Sequence, residues 1–102
     1  MEPIELNEAD DGREVTVAAG QRVVVRLPEN PSTGYRWEPP AGVDVVADEY
    51  RSPGGTAAGA GGERVFTLAA RATTGEVRFA LTRPWGGSAP ERTFTLRLTR
   101  GA

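Results

Sequence analysis

Phe94-Thr95-Leu96-Arg97-Leu98-Thr99 alternates apolar and polar side chains without a break. A period of two sends successive side chains to opposite faces of a strand. Phe94, Leu96 and Leu98 are therefore expected inside, with Thr95, Arg97 and Thr99 in water. The pattern recurs upstream. Val77, Phe79 and Leu81 alternate with Arg78, Ala80 and Thr82; Val23, Val25 and Leu27 with Arg22, Val24 and Arg26; Val15 and Val17 with Glu14, Thr16 and Ala18. Residues 4–6, 35–38, 43–49 and 64–70 are weaker strand candidates, and Trp37 within them is expected in the core. Gly or Pro interrupts every window long enough for an amphipathic helix.

About seven or eight short strands in 102 residues predict an all-β fold, an immunoglobulin-like antiparallel β-sandwich. No internal repeat or linker divides the chain, so a single domain is expected over residues 1–102. A chain of this size buries roughly two-thirds of its unfolded surface and can fold without staples.

The composition excludes most chemistry. There is no Cys and no His, and all 12 basic residues are Arg. Disulfide frameworks, thiolate nucleophiles and zinc fingers lack their ligands or partners. Ser-His, Cys-His, Ser-Lys and Schiff-base catalysis each lack a member, so no enzyme activity and no cofactor is expected. Asp10-Asp11-Gly12 looks like a turn before a strand, and Asp44, Asp48 and Glu49 look like strand-edge or solvent-facing residues. No motif supports a carboxylate pair for acid–base work or a calcium cage among them, so no metal is expected. A net charge of −2 with interspersed signs offers no basic face for nucleic acid or anionic lipid. The apolar runs are too short to cross a bilayer, and nothing requires more than a monomer. Met1-Glu2-Pro3 opens without basic residues or an apolar core, so no signal peptide is visible and the compartment stays open. Arg-only basicity with abundant Gly and Ala points to a GC-rich bacterial genome, which concerns codons and not mechanism.

Counted from residues 21–27, the strands should run alternately up and down. The connections 28–34, 51–63 and 83–91 then emerge at one end, and the short connections 39–42 and 71–75 at the other. Long loops gathered at one end of a rigid sandwich are where binding usually resides.

In the first loop, Asn30-Pro31-Ser32-Thr33-Gly34-Tyr35, Pro31 fixes its own backbone and extends Asn30. Gly34 permits a positive φ, and Ser32 and Thr33 carry hydroxyls able to bond locally or to a partner. The second loop has five glycines between Arg51 and Glu63 and almost no bulk. It reads as a flexible connector or as backbone able to lie close against another surface. The third begins Arg83-Pro84-Trp85-Gly86-Gly87, where Trp85 has little neighbouring bulk to cover it. An indole at a loop end packs back on the fold or binds something, and Arg and Trp are enriched at binding hot spots.

Asn30–Tyr35, Gly59-Ala60-Gly61-Gly62 and Arg83-Pro84-Trp85 resemble, in order and spacing, the three signature segments of the chagasin-type inhibitors of papain-like cysteine peptidases. Those segments read Asn-Pro-Thr-Thr-Gly-Tyr/Phe, Gly-x-Gly-Gly and Arg-Pro-Trp, and the resemblance runs from about Asp10 onward. Ser32 departs from the usual Thr, keeping the hydroxyl and losing a methyl. The resemblance implies a reversible, noncovalent inhibitor. Asn30, Pro31, Ser32, Thr33 and Gly34 would enter the middle of the cleft, with Tyr35 closing that segment. Gly59, Ala60, Gly61 and Gly62 would lie along the non-primed subsites. Arg83, Pro84 and Trp85 would meet the primed side, Trp85 packing on enzyme aromatics and Arg83 making polar contacts.

A second reading is a sandwich binding or adhesion module, with Trp85 as a stacking platform for carbohydrate or a cell-surface partner. A sugar site at a sandwich end usually gathers several aromatics, whereas these loops offer one Trp. A small carboxylate enzyme and a purely structural domain are the remaining readings.

Overall fold

The alternating runs become strands of two facing sheets. The structure is a computed structural model that describes residues 2–30, 33–40, 43–51, 62–69, 75–83 and 90–101. In chain order the strands are β1 (Ile4–Asn7), β2 (Arg13–Val17), β3 (Arg22–Glu29), β4 (Arg36–Glu38), β5 (Asp44–Arg51), β6 (Gly62–Ala69), β7 (Gly75–Thr82) and β8 (Arg92–Arg100). One sheet has the order β1-β3-β6-β5, the other β2-β8-β7-β4. A 3-10 turn spans Glu8–Asp10 between β1 and β2.

The inward faces are those the alternation predicts. Val23, Val25, Leu27, Phe66 and Leu68 face Val15, Val17, Val77, Phe79, Leu81, Phe94, Leu96 and Leu98 across the sandwich, all buried. Trp37 joins them at 3% exposure, donating its indole N–H to the Pro28 carbonyl at 2.8 Å. The Phe79 ring lies 5.1 Å from Phe66 of the opposite sheet and 6.1 Å from Phe94 beside it. The tilted Phe66–Phe79 contact ties the two layers together.

Within the sandwich, β3, β5 and β6 pair antiparallel, as do β4, β7 and β8. The two N-terminal strands differ: β1 runs parallel to β3, and β2 parallel to β8. The up-and-down alternation itself produces this. Because β2 crosses to the other sheet, β1 and β3, which run the same way, become neighbours.

The crossing turn is tightly held. The Asn7 side chain accepts from Ala9 N at 2.9 Å, and Asp10 Oδ2 accepts from Asn7 N at 2.9 Å, a reciprocal cap. Asp11 Oδ1 accepts from Thr95 N at 2.8 Å, tying the turn to β8. The hydrogen bond from the Asn7 backbone, and then the one from Arg13, hold the Asp10 carboxyl below its ordinary pKa. A carboxylate lowered in the folded state contributes stability that is present above its unfolded pKa and is lost as pH falls through the folded one. No side chain in this composition titrates ordinarily between about pH 5.5 and 8. Thermal stability is therefore expected to stay nearly level across that window and to decline below about pH 4. Melting curves against pH check this, and Asp10→Asn should show the smaller acid-induced decline.

Registers confirm the loop arithmetic. Glu29 pairs with Gly62 and Arg51 with Glu63, so β3 ends where the connection between β5 and β6 begins and finishes. In the other sheet Arg36 pairs with Thr82 and Leu81 with Arg92. The start of β4 thus lies beside the end of β7 and the start of β8. Residues 30–35 join these two edges, and the roots of all three long connections share one end. The turn Glu8–Asp10 lies on the same side, with Arg92 Nη2 3.0 Å from Glu8 Oε2.

Candidate functional site

The loop end is built on the last inward-facing position of β3. The alternation of Val23, Val25 and Leu27 continues to Glu29, which is buried at 4% exposure. A carboxylate there needs partners. Its Oε1 accepts from Trp37 N at 2.7 Å, and its Oε2 accepts from Arg64 Nε at 3.1 Å and Nη2 at 2.8 Å. Arg64 occupies an inward position of β6 and is itself 9% exposed. Its Nη1 donates to Asp48 Oδ1 of β5 at 3.0 Å, and its guanidinium lies 5.8 Å from the Tyr50 ring centroid. Burial works against the charge on Arg64, but the hydrogen bonds to Glu29 and Asp48 together outweigh it and hold the pKa above its ordinary value.

Above this network stands the first loop. Thr33 N and Thr33 Oγ1 both donate to the Asn30 carbonyl, at 3.1 and 2.8 Å, and Thr33 Oγ1 accepts from Tyr35 N at 3.2 Å. The hydroxyl is thus spent inside the loop, closing it into a turn. Gly34 takes φ +80°, the left-handed conformation that its lack of a side chain allows. An L side chain there costs about 1–2 kcal/mol. Gly34→Ala is expected to lower the melting temperature by about 5–15 °C, read in a thermal melt. An unchanged melt would mean that the turn can take another backbone shape.

Tyr35 packs against the core and carries the Arg83 guanidinium 4.6 Å from its ring centroid. This stack joins the first loop to the root of the third. Glu91 N donates to the Leu81 carbonyl at 2.8 Å, closing the base of the third loop. Gly62 opens β6 against Tyr50 and Arg51. A Cβ at Gly62 would collide with the Arg51 carbonyl and lie 2.6 Å from the Tyr50 hydroxyl. The close approach that the missing side chain permits is to the chain's own β5. Between the first loop and Gly62 a cavity of about 420 Å³ opens, with Pro28, Leu81 and Arg92 in its walls.

Of the residues singled out by sequence, Asn30, Thr33, Gly34, Tyr35, Gly62 and Arg83 come together at this end. Pro31, Ser32, Gly59, Ala60, Gly61, Pro84 and Trp85 lie outside the described residues. Sequence reasoning missed Glu29 and Arg64. The signal was present: each continues an inward-facing alternation with a charge, and the two charges are opposite. Asp44, Asp48 and Glu49 are exposed on the edge strand β5, as expected, but Asp48 also reaches Arg64. Among the described residues, no three acidic side chains are placed to hold a metal ion. What this end offers is a braced shape.

Known proteins are similar in sequence and in fold. Chagasin from Trypanosoma cruzi is 33% identical over 103 residues, covering 91% of this chain and 94% of its own. Amoebiasin-1 from Entamoeba histolytica is 32% identical over 100 residues, covering 91% and 95%. The crystal structure of the cysteine protease inhibitor EhICP2 from Entamoeba histolytica shares the fold, with a TM-score of 0.82 over 98% of this chain and 96% of that one at 23% identity. Both organisms are protozoan, so the bacterial origin read from composition finds no support in these relatives. The family model described as chagasin family peptidase inhibitor I42 matches residues 16–98. A sandwich with the roots of its three signature segments at one end accordingly belongs to the chagasin family of peptidase inhibitors.

Proposed function

We propose that this protein is a reversible, noncovalent inhibitor of papain-like cysteine peptidases and that the loop end occludes their active-site cleft. The observation that carries the reading is the common placement of the three loop roots, braced by the Arg83–Tyr35 stack and the Glu29–Arg64 pair. Asn30, Pro31, Ser32, Thr33 and Gly34 form the wedge, with Tyr35 as its support. Gly59, Ala60, Gly61 and Gly62 follow the non-primed side. Arg83, Pro84 and Trp85 meet the primed side. Loop roots held in place before contact leave less entropy to be lost on binding, which favours affinity. The Cys and His absent from the inhibitor belong to its target, so occlusion demands no chemistry from this chain. Chain 1–102 acts as one inhibitory domain.

Titration of papain with the purified protein tests the reading. Inhibition is expected at sub-micromolar protein and to be recovered on dilution. Failure to inhibit several papain-like enzymes would favour the carbohydrate or adhesion module instead.

A further inference from the structure

We propose that Glu29 and Arg64 are positioning residues of the inhibitor, whose buried ion pair sets the first and second loops relative to each other. The inference rests on the reading of those loops as the peptidase-binding edge. One short network touches both roots of both loops. Glu29 ends β3 and Trp37 lies in β4, so the 2.7 Å bond between them spans the base of the first loop. Asp48 lies in β5 and Arg64 in β6, so their 3.0 Å bond spans the roots of the second. The two bonds from Arg64 to Glu29 Oε2 join one base to the other. A guanidinium is planar and presents its donors in a fixed fork, so the link constrains direction as well as distance.

Energetics favour a geometric role. A buried ion pair loses so much hydration that a well-packed apolar pair of similar volume often serves stability equally well. The inward positions that precede Glu29 in β3 and follow Arg64 in β6 are filled by Val, Leu and Phe, so apolar residues suit these faces. Among the described residues, buried charges stand only at the ends of β3 and β6 next to the loops. Both groups sit at the loop roots, in β3 and β6, and act through the loops they hold.

The test compares wild type, Glu29→Gln/Arg64→Met and Arg64→Lys by thermal melting, inhibition of papain and amide hydrogen exchange. Glutamine keeps an oxygen for Trp37 N–H, and methionine fills the space of the arginine stem. The double variant is expected to melt within about 5 °C of wild type while its Ki rises about tenfold or more. Exchange at Thr33 and Tyr35 should accelerate about tenfold. Arg64→Lys, which keeps the charge but not the fork, should fall between. Wild-type Ki and exchange in the double variant overturn the proposal. If the double variant does not fold, Arg64→Lys decides: raised Ki at an unchanged melt supports the pair, and unchanged Ki overturns it. If wild type inhibits nothing, the inhibitor reading fails, and the exchange comparison alone decides whether the pair orders the first loop.

Discussion

Replacing Trp85 by alanine is expected to raise the Ki for papain by about 100-fold. Burying about 200 Å² of indole at about 25 cal/mol/Å² sets a ceiling near 5 kcal/mol. Ordering the loop opposes this by roughly 1–2 kcal/mol for each residue that binding fixes. If one or two residues are fixed, about 3 kcal/mol is left, or roughly two orders of magnitude. Arg83, two positions earlier, is already stacked on Tyr35, so part of that ordering is done before contact. Melting should hardly change. A Ki within about threefold of wild type would remove the third loop from the binding edge, and a large fall in melting temperature would show Trp85 packed on its own fold.

Gly62→Ala is expected to act on both stability and inhibition. The new Cβ would strike the Arg51 carbonyl, which is backbone, and the Tyr50 ring, so β5 and β6 must separate at the root of the second loop. Overpacking of this kind costs about 1–3 kcal/mol, a sizeable part of a total of about 5–15 kcal/mol. For a domain of this length that is a fall of about 5–20 °C in melting temperature. Inhibition should weaken with it, because the displaced strand carries Asp48 and its bond to Arg64. Tyr50→Phe/Gly62→Ala relieves only the hydroxyl contact and should recover little. A melt equal to wild type would show that β5 can shift without cost.

Much of this was legible in one dimension. Phe94, Leu96 and Leu98 are buried because a strand turns each second side chain to the same face, a local rule that needs no partner. The loop end was legible because strands that each cross the sandwich once must alternate in direction. The left-handed Gly34 and the caged Trp37 follow from residue type and strand position. The parallel pairing of β1 with β3 was not legible, since it depends on which sheet receives β2.

The sites that join distant segments were also hidden. Glu29 and Arg64 are 35 residues apart, and either one alone reads as an ordinary charge near a strand end. Only the register that sets Glu29 opposite Gly62 brings the two together, and only burial makes each require the other. The sequence left open whether the Thr33 hydroxyl bonds locally or to a partner and what Gly62 lies against; the fold sets the first on Asn30 and the second against Tyr50 and Arg51. Periodicity and residue type, which act along the chain, determined the strands, the core and the end from which the loops emerge. Contacts between distant segments, set by sheet pairing and the exclusion of water, decided how those loops are braced.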